Sequence, residues 1–488
     1  MKSGLLFVLF ASILLLSING QNYQSVTSDR IAYFKNDAGN IRSLRIDSSG
    51  FISDSVLYPF TIMQGVSDNC VSPFVASWIG PSVIIKPNGL NLFINHEGDT
   101  ITINTLASVG DKWIAYQQDS SIIVEASVVS CELQNFLGLQ DSVKTIAFTP
   151  YNEELGPLDL PLSIMTVKLS KNYGFVRALN FYIFPGTEVL LYGDEFEELD
   201  LIGLSNPQVG VQNLTWFEVY DFQPGDEIHV YYKSTFYDEY GEGGETTIKS
   251  IYNYIERNDY PDSIVYRYSL RQSNSYTGSE GSSFTFSDDV RESTIRANPT
   301  FDKLPGEPVF DENYYSYSMK NTTPLSKYDP SELESFSNVD DSCWAIIIAD
   351  GCLDYDEYRK GLGGPYYSCW SNPFLEQSLE NKLVYYKKGN ITWGEPLVIT
   401  GISDIENVNH IQVYPNPAND ILNVTFESGG YTNNEIRIYS LEGKLLLSQK
   451  LLSNQTSVDI SELKTGVYIV KVTNNNSGIL SHLKLIVE

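Results

Sequence analysis

Histidine is nearly missing: there are four in 488 residues. His410 and His482 fall at or within the last 79, which leaves His96 and His229 for the rest of the chain. A Ser-His-Asp or Cys-His site needs an imidazole to take the nucleophile's proton. Neither of these two sits in a recognisable frame, and GxSxG, HExxH and GxxxxGK are all absent. Serine, cysteine and zinc hydrolases are therefore disfavoured. Cysteine is sparse as well: Cys70, Cys131, Cys343, Cys352 and Cys369. No CxxC spacing exists, which argues against zinc. In an oxidising compartment Cys70 and Cys131 could pair, and the other three could close one bridge and leave one thiol over. Basic residues are few, 32 against 61 acidic, for a net charge of −29. Nucleic acid is excluded as a partner, because no cationic footprint faces its phosphates. Long helical periodicities are missing, which disfavours folds built on βαβ units.

Long apolar runs are missing too, with one exception. Residues 5–18 are almost unbroken apolar, preceded by Lys2 and followed by Asn19-Gly20. This reads as a secretory signal peptide over residues 1–20, too short to span a bilayer as a helix. No transmembrane segment is expected in the mature chain.

What is present is strand-like. The chain is 42% hydrophobic, enough for real cores. The Asn88-Gly89 pair between two apolar runs predicts a hairpin. In 227–234, Ile228, Val230 and Tyr232 face one way and His229, Tyr231 and Lys233 the other. Ile264, Tyr266, Tyr268 and Leu270 share a face in the same way. Residues 296–341 are rich in Pro, Asn, Ser and Asp and read as irregular. The predicted class is all-β, with antiparallel, sandwich-like sheets in the body and a small Ig-like β-sandwich at the C-terminus. The predicted organisation is an N-terminal β region (21–210), a second β region (211–400) with a Cys-containing segment (343–370), a linker (401–410) and a C-terminal domain (411–488).

That last domain carries Tyr414-Pro415-Asn416-Pro417 with Asp420, then short alternating strands separated by turns. Ile436-Arg437-Ile438-Tyr439 leads into the turn at Gly443-Lys444. Gly466-Val467-Tyr468-Ile469-Val470 and the final Lys484-Leu485-Ile486-Val487 follow. In this order and spacing the segment resembles the type A C-terminal sorting domain of the bacterial type IX secretion system. The resemblance implies that Tyr414, Pro415, Asn416, Pro417, Asp420, Gly443, Gly466 and Tyr468 belong to the sorting motif. It implies a partner in the secretion machinery, crossing of the outer membrane, and a mature protein that is secreted or held at the cell surface. In residues 169–174, 221–226 and 361–367 the body is similar to secreted proteins with the same tail, a likeness that implies no activity.

The whole charge imbalance lies in residues 21–410, with 25 basic and 54 acidic residues; 411–488 hold 6 and 7. Glu195, Glu197, Glu198 and Asp200 form a run that reads as a solvated face. Asp350, Asp354 and Asp356 offer hard oxygen ligands for calcium, but their order does not match an EF-hand. No other cofactor is expected. Nine tyrosines fall in 231–268. They read either as half-buried strand residues or as platforms for sugars and protein partners. The body is therefore expected to be a non-catalytic binding or structural module that meets a glycan or a surface protein. The alternative is a carboxylate-dependent, glycan-degrading hydrolase.

Overall fold

A computed structural model describes residues 23–399 and 411–488, apart from short stretches at 52–53, 68–69, 119–121, 188–194, 239, 280, 311–313, 330–333, 341–342, 349–355, 372–375, 427–433, 442, 452, 454 and 475–477. The chain divides into two compact units, Met1–Ile399 and Thr400–Glu488. The regular secondary structure is almost entirely antiparallel strands, as the alternating pattern predicts.

In the first unit, one large sheet runs in the order Lys112–Gln118, Ile122–Phe136, Leu139–Tyr151, Thr166–Ser170, Gly174–Leu179, Glu198–Ser205, Ala32–Lys35 and Ile41–Leu44. A five-stranded sheet comprises Ile46–Phe51, Ser55–Pro59, Val83–Ile85, Leu90–Ile94 and Thr100–Asn104. Alternation makes each strand one-sided: Val124, Ala126 and Val128 are buried while the residues between them are not. Side chains of both sheets meet in one core, where Phe93 stacks on Phe181 at 4.3 Å between ring centroids. Each such fully buried ring contributes about 1.5–3 kcal/mol. The Asn88-Gly89 hairpin forms as predicted. Gly89 sits at φ +84, and a Cβ there would run into the Leu106 side chain.

A ten-stranded sheet follows. Its strands are β1 (Glu227–Tyr237), β2 (Gly243–Asp259), β3 (Ser263–Gly278), β4 (Gly281–Arg296), β5 (Ser318–Lys320), β6 (Ser326–Asp329), β7 (Asp356–Arg359), β8 (Gly363–Ser371), β9 (Glu376–Lys388) and β10 (Ile391–Gly394). They are ordered β4-β3-β2-β1-β9-β8-β7-β6-β5, with β10 on β9. Ile228, Ile264, Tyr266 and Leu383 build its core with Phe222, Leu362 and Tyr366. Residues 296–341, expected to be irregular, instead carry short pairs such as β5 with β6 and Val309–Phe310 with Tyr314–Tyr315. Those pairs are only two to four residues long, too short for alternation to show in the sequence, while the seven-residue strand Glu334–Asp340 is rich in Ser, Asn and Asp, which give little strand signal.

The second unit is a small sandwich. One sheet is β11 (Ile411–Tyr414), β12 (Ile421–Phe426) and β15 (Gln455–Asp459). The other has the order β14-β13-β16-β17, from β13 (Asn434–Tyr439), β14 (Leu445–Leu451), β16 (Gly466–Asn474) and β17 (Gly478–Val487). Leu422, Val424, Ile436, Ile438, Val470, Val472 and Leu485 are fully buried between the two sheets.

Candidate functional site

The motif after β11 closes the edge of the small sandwich. Strand β17 is an edge strand, with one side of its backbone unpaired by β16. Asn416 takes up part of that side through its side-chain amide. Its Nδ2 donates to the Lys484 carbonyl at 2.6 Å, and its Oδ1 accepts the Ile486 N–H at 2.9 Å. Ala418 continues the pairing: its N–H donates to Ile486 O, and its carbonyl accepts from Glu488 N. Pro415 and Pro417 flank Asn416 and have no N–H to leave unpaired. The Asp420 carbonyl accepts the Ile460 N–H at 2.8 Å. Tyr414 is exposed, its hydroxyl 3.5 Å from Gln455 Nε2.

The remaining motif residues act locally. Gly443 occupies a turn at φ +83, with its N–H on Ser440 O, so a side chain there is strained although space is free. Tyr468 packs against the core and donates its hydroxyl to Lys464 O at 2.5 Å. Gly466 is different: its φ is not positive and the nearest atom to an added Cβ would be 3.7 Å away. Nothing in the fold requires glycine there.

In the body, alternation along β1 places His229 on the face away from the Ile228 core, where a strand residue would ordinarily meet solvent. His229 is only 2% exposed. Residues 395–399 pass over it, and the Leu397 N–H donates to Nδ1 at 2.9 Å. A backbone N–H can only donate, so the ring proton is on Nε2, which reaches Glu227 Oε1 at 2.7 Å. Both nitrogens are spent on structure. His96 lies in a turn, where the Asn95 side chain accepts the N–H groups of Glu97 and Asp99. Its Nδ1 is 3.0 Å from Tyr182 O.

Of the acidic run read as a solvated face, Glu195 is exposed, but Glu197, Glu198 and Asp200 form an ion-pair ladder. Arg177 bridges Glu198 and Asp200 at 3.0 and 2.7 Å. Glu197 accepts from Asn36 at 2.7 Å and lies 3.8 Å from Arg42. Of the calcium candidates, Asp350 and Asp354 lie outside the described residues, and Asp356 opens β7.

The Cys70–Cys131 pairing is corrected. Cys131 is a free, exposed thiol. Its strand holds it opposite Lys144, with the hydroxyls of Tyr23 and Ser142 each 3.4 Å from Sγ. Those hydrogen bonds, from Ser142 first and then Tyr23, hold its pKa below the usual thiol value. Cys369 is disulfide-bonded.

One buried group had no signal in the sequence. Lys327 on β6 is fully enclosed. Its Nζ lies 2.5 Å from Phe301 O, 2.7 Å from Lys303 O, and 3.3 Å from both Leu214 O and Asn213 Oδ1. The rings of Phe301 and Tyr317 lie 4.7 and 5.2 Å away. Burial pushes its pKa down to about 7.

Comparison with known proteins bears on the second unit. Residues 412–488 match the family model described as the secretion system C-terminal sorting domain. This unit is thus a type IX sorting domain, and the chain is a cargo of that system, exported to the cell surface or beyond. Beta-agarase D of Zobellia galactanivorans is 38% identical over 63 residues, which is 13% of this chain and 12% of the agarase. The chain thus matches only about an eighth of that relative. Among solved structures, PorZ of Porphyromonas gingivalis, a surface component of the type IX system, aligns with 95% of this chain and 81% of its own at 10% identity and a TM-score of 0.15. The extracellular domain of a one-component system from B. thetaiotaomicron aligns with 94% and 79% at 8% identity and a TM-score of 0.14. Scores so low carry no argument about fold or function.

Proposed function

We propose that the body of this exported cargo is a non-catalytic binding module whose ligand platform is the far half of the β1–β4 blade. The observation that carries this is where the apolar cluster stops. Tyr252, Tyr254, Tyr266 and Tyr268 pack into it, so much of the tyrosine enrichment is core packing. Beyond Val230 on β1 and on the strands beside it, the blade runs on for roughly 20 Å at ~3.4 Å per residue. No described residue of that stretch joins the cluster. It nevertheless carries Tyr232, Phe236 and Tyr276 on one face, the register placing Phe284 and Phe286 on the other, with Tyr240 exposed at the hairpin tip. Aromatic rings left half-covered in this way suit stacking on sugars or protein anchors. The body's negative charge favours a neutral or cationic ligand.

The carboxylates support the same reading. A glycosidase acid needs a raised pKa. Glu218, Glu307 and Glu357 are half-buried, and burial alone would raise them. Hydrogen bonds from Lys360, Arg45 and Arg359 respectively, with others, outweigh it and hold all three below the ordinary value.

The test is a glycan array on the full chain, scored for retention and for cleavage products, with agar fragments included because of the short agarase likeness. Retention on a neutral glycan that is lost in Phe236→Ala/Tyr276→Ala, two rings on the same face, supports the platform. Cleavage products that vanish on replacing two acids would overturn the non-catalytic reading.

A further inference from the structure

The sorting domain has almost no net charge, 6 basic against 7 acidic residues, yet its strand register separates the two signs. In the sheet β14-β13-β16-β17 the inward side chains are Ile436, Ile438, Val470, Val472 and Leu485. Their neighbours in each strand therefore point outward. Arg437 lies opposite Lys471 and Ser448, Glu435 opposite Lys450, and Tyr439 opposite Ile469, which pairs with Lys484. Four of the six basic residues thus share one outer face. Of the described acids, only Glu435 joins them, and it is occupied: it accepts from Arg437 at 2.6 Å and from Ser448. Asp420, Asp459, Glu462 and Glu488 lie off this sheet's strands or on the other sheet.

Glu435 answers Arg437 by an ion pair and faces Lys450 across the strands, so four cations against one carboxylate leave the face with an excess of positive charge. Among the described residues no carboxylate lies within ion-pair distance of Lys450, Lys471 or Lys484. Lys471 instead rests its Nζ 5.5 Å from the centre of the Tyr439 ring. Lys450 and Lys484 are exposed, and so are Leu445 and Leu446 at the same sheet's rim. Like charges gathered on a flat face repel one another and bring the fold nothing. They do create a local positive field on a chain that is strongly negative elsewhere.

We propose that this outer face is the docking surface of the sorting domain for a carboxylate-rich protein surface in the export machinery. The proposal rests on reading residues 412–488 as a sorting domain and adds which face is read and by what chemistry. The face measures roughly 15 by 20 Å from strand spacing and rise. That is below the area of a stable interface and suits a transient one. Charge complementarity then supplies fast, salt-sensitive encounter, with enough specificity for a cargo that must be bound and let go.

The test uses the full chain in a bacterium that runs type IX secretion. Lys450→Glu/Lys484→Glu reverses two exposed charges on the face. Lys444→Glu/Lys464→Glu makes the same change in net charge off the face, also at exposed positions. The face variant should reach the surface at less than a fifth of the wild-type level and accumulate in the periplasm, while the control variant exports normally. Carbodiimide cross-linking in intact cells should join Lys450 or Lys484 to protein carboxylates more often than Lys444 or Lys464. Equal export of both variants overturns the proposal. So does flotation of the wild-type chain, but not the face variant, with phosphatidylglycerol vesicles, since the partner would then be lipid. A chain truncated before residue 412 serves as reference: if it too is exported, the sorting reading itself fails.

Discussion

Lys327→Met exposes the balance around the buried ammonium. Methionine keeps the length of the side chain and removes both the charge and the donors. In the folded protein Lys327 titrates near 7, whereas a free lysine titrates at 10.5. The difference corresponds to about 5 kcal/mol at ~1.4 kcal/mol per pH unit. Its sign follows from proton counting. Between 7 and 10.5 the unfolded chain holds a proton that the folded chain has shed, so stability rises with pH. The gain is fully present above 10.5 and is lost as pH falls through 7. Against this stand the four oxygens around Nζ. Without a donor, each buried acceptor costs about 1 kcal/mol or more. At pH 6 the two effects oppose: the variant escapes the desolvated charge but orphans the cage. At pH 9 wild-type Lys327 is neutral and still donates two N–H groups, so only the variant's loss remains. Its deficit should therefore widen by about 2–3 kcal/mol between pH 6 and pH 9. Urea unfolding followed by tryptophan fluorescence measures this at each pH. Going no higher than pH 9 avoids the buried tyrosines, and other titrating groups such as Cys131 cancel in the difference. Parallel stability profiles for the two proteins would refute the reasoning.

Three further outcomes follow from single contacts. Asn416→Ala removes both hydrogen bonds to β17 at an exposed site, which should destabilise the sorting domain by about 1–2 kcal/mol; hydrogen exchange at Ile486 should speed up while Ile438 stays protected. Cys131 should react with iodoacetamide in the native, unreduced protein and at a lower pH than a free thiol, because its hydrogen bonds favour the thiolate; no native labelling at Cys131 would refute the free-thiol assignment. His229→Ala should release the segment at Leu397, seen as faster limited proteolysis within 395–399, with β1 otherwise intact; an unchanged cleavage pattern would show that the hydrogen bond does not hold the segment.

Legibility in the sequence tracked how local the cause was. The Asn88-Gly89 hairpin could be read because a turn with φ +84 at Gly89 accepts few other residues. The faces of β1 could be read because side chains alternate along any strand. The burial of His229 could not. Alternation correctly put it on the face away from Ile228, and that face is covered by a segment 168 residues further on. No local pattern announces such a return. The same holds for Lys327, whose cage comes from residues 213–214 and 301–303. The Cys70–Cys131 pairing failed for a related reason: cysteine counting sees an even pair but not the strand that sets Cys131 beside Tyr23 and Ser142.

The sorting domain was legible as a motif and opaque as a surface. Asn416 stands out in the sequence because it sits between two prolines, and the structure supplies the reason in its two bonds to β17. The charge of the domain shows the reverse. Six against seven reads as neutral, because composition adds what register separates. Glu435 and Arg437 are two residues apart and so point the same way, yet the chain alone does not say that Lys450, Lys471 and Lys484 arrive from three other strands beside them. Only pairing brings Lys471 opposite Arg437 and Lys450 opposite Glu435. A surface that a partner can read therefore arises from long-range register, while the residues that keep the sandwich closed remain visible in the linear text. Substitutions within the Tyr414–Asp420 motif should thus act on export through folding, and substitutions at Lys450 or Lys484 should act without altering the fold. Comparing thermal unfolding of the Asn416→Ala and Lys450→Glu/Lys484→Glu chains at equal expression separates the two. A face variant whose sorting domain melts as early as the motif variant would show that the cationic face acts only through stability.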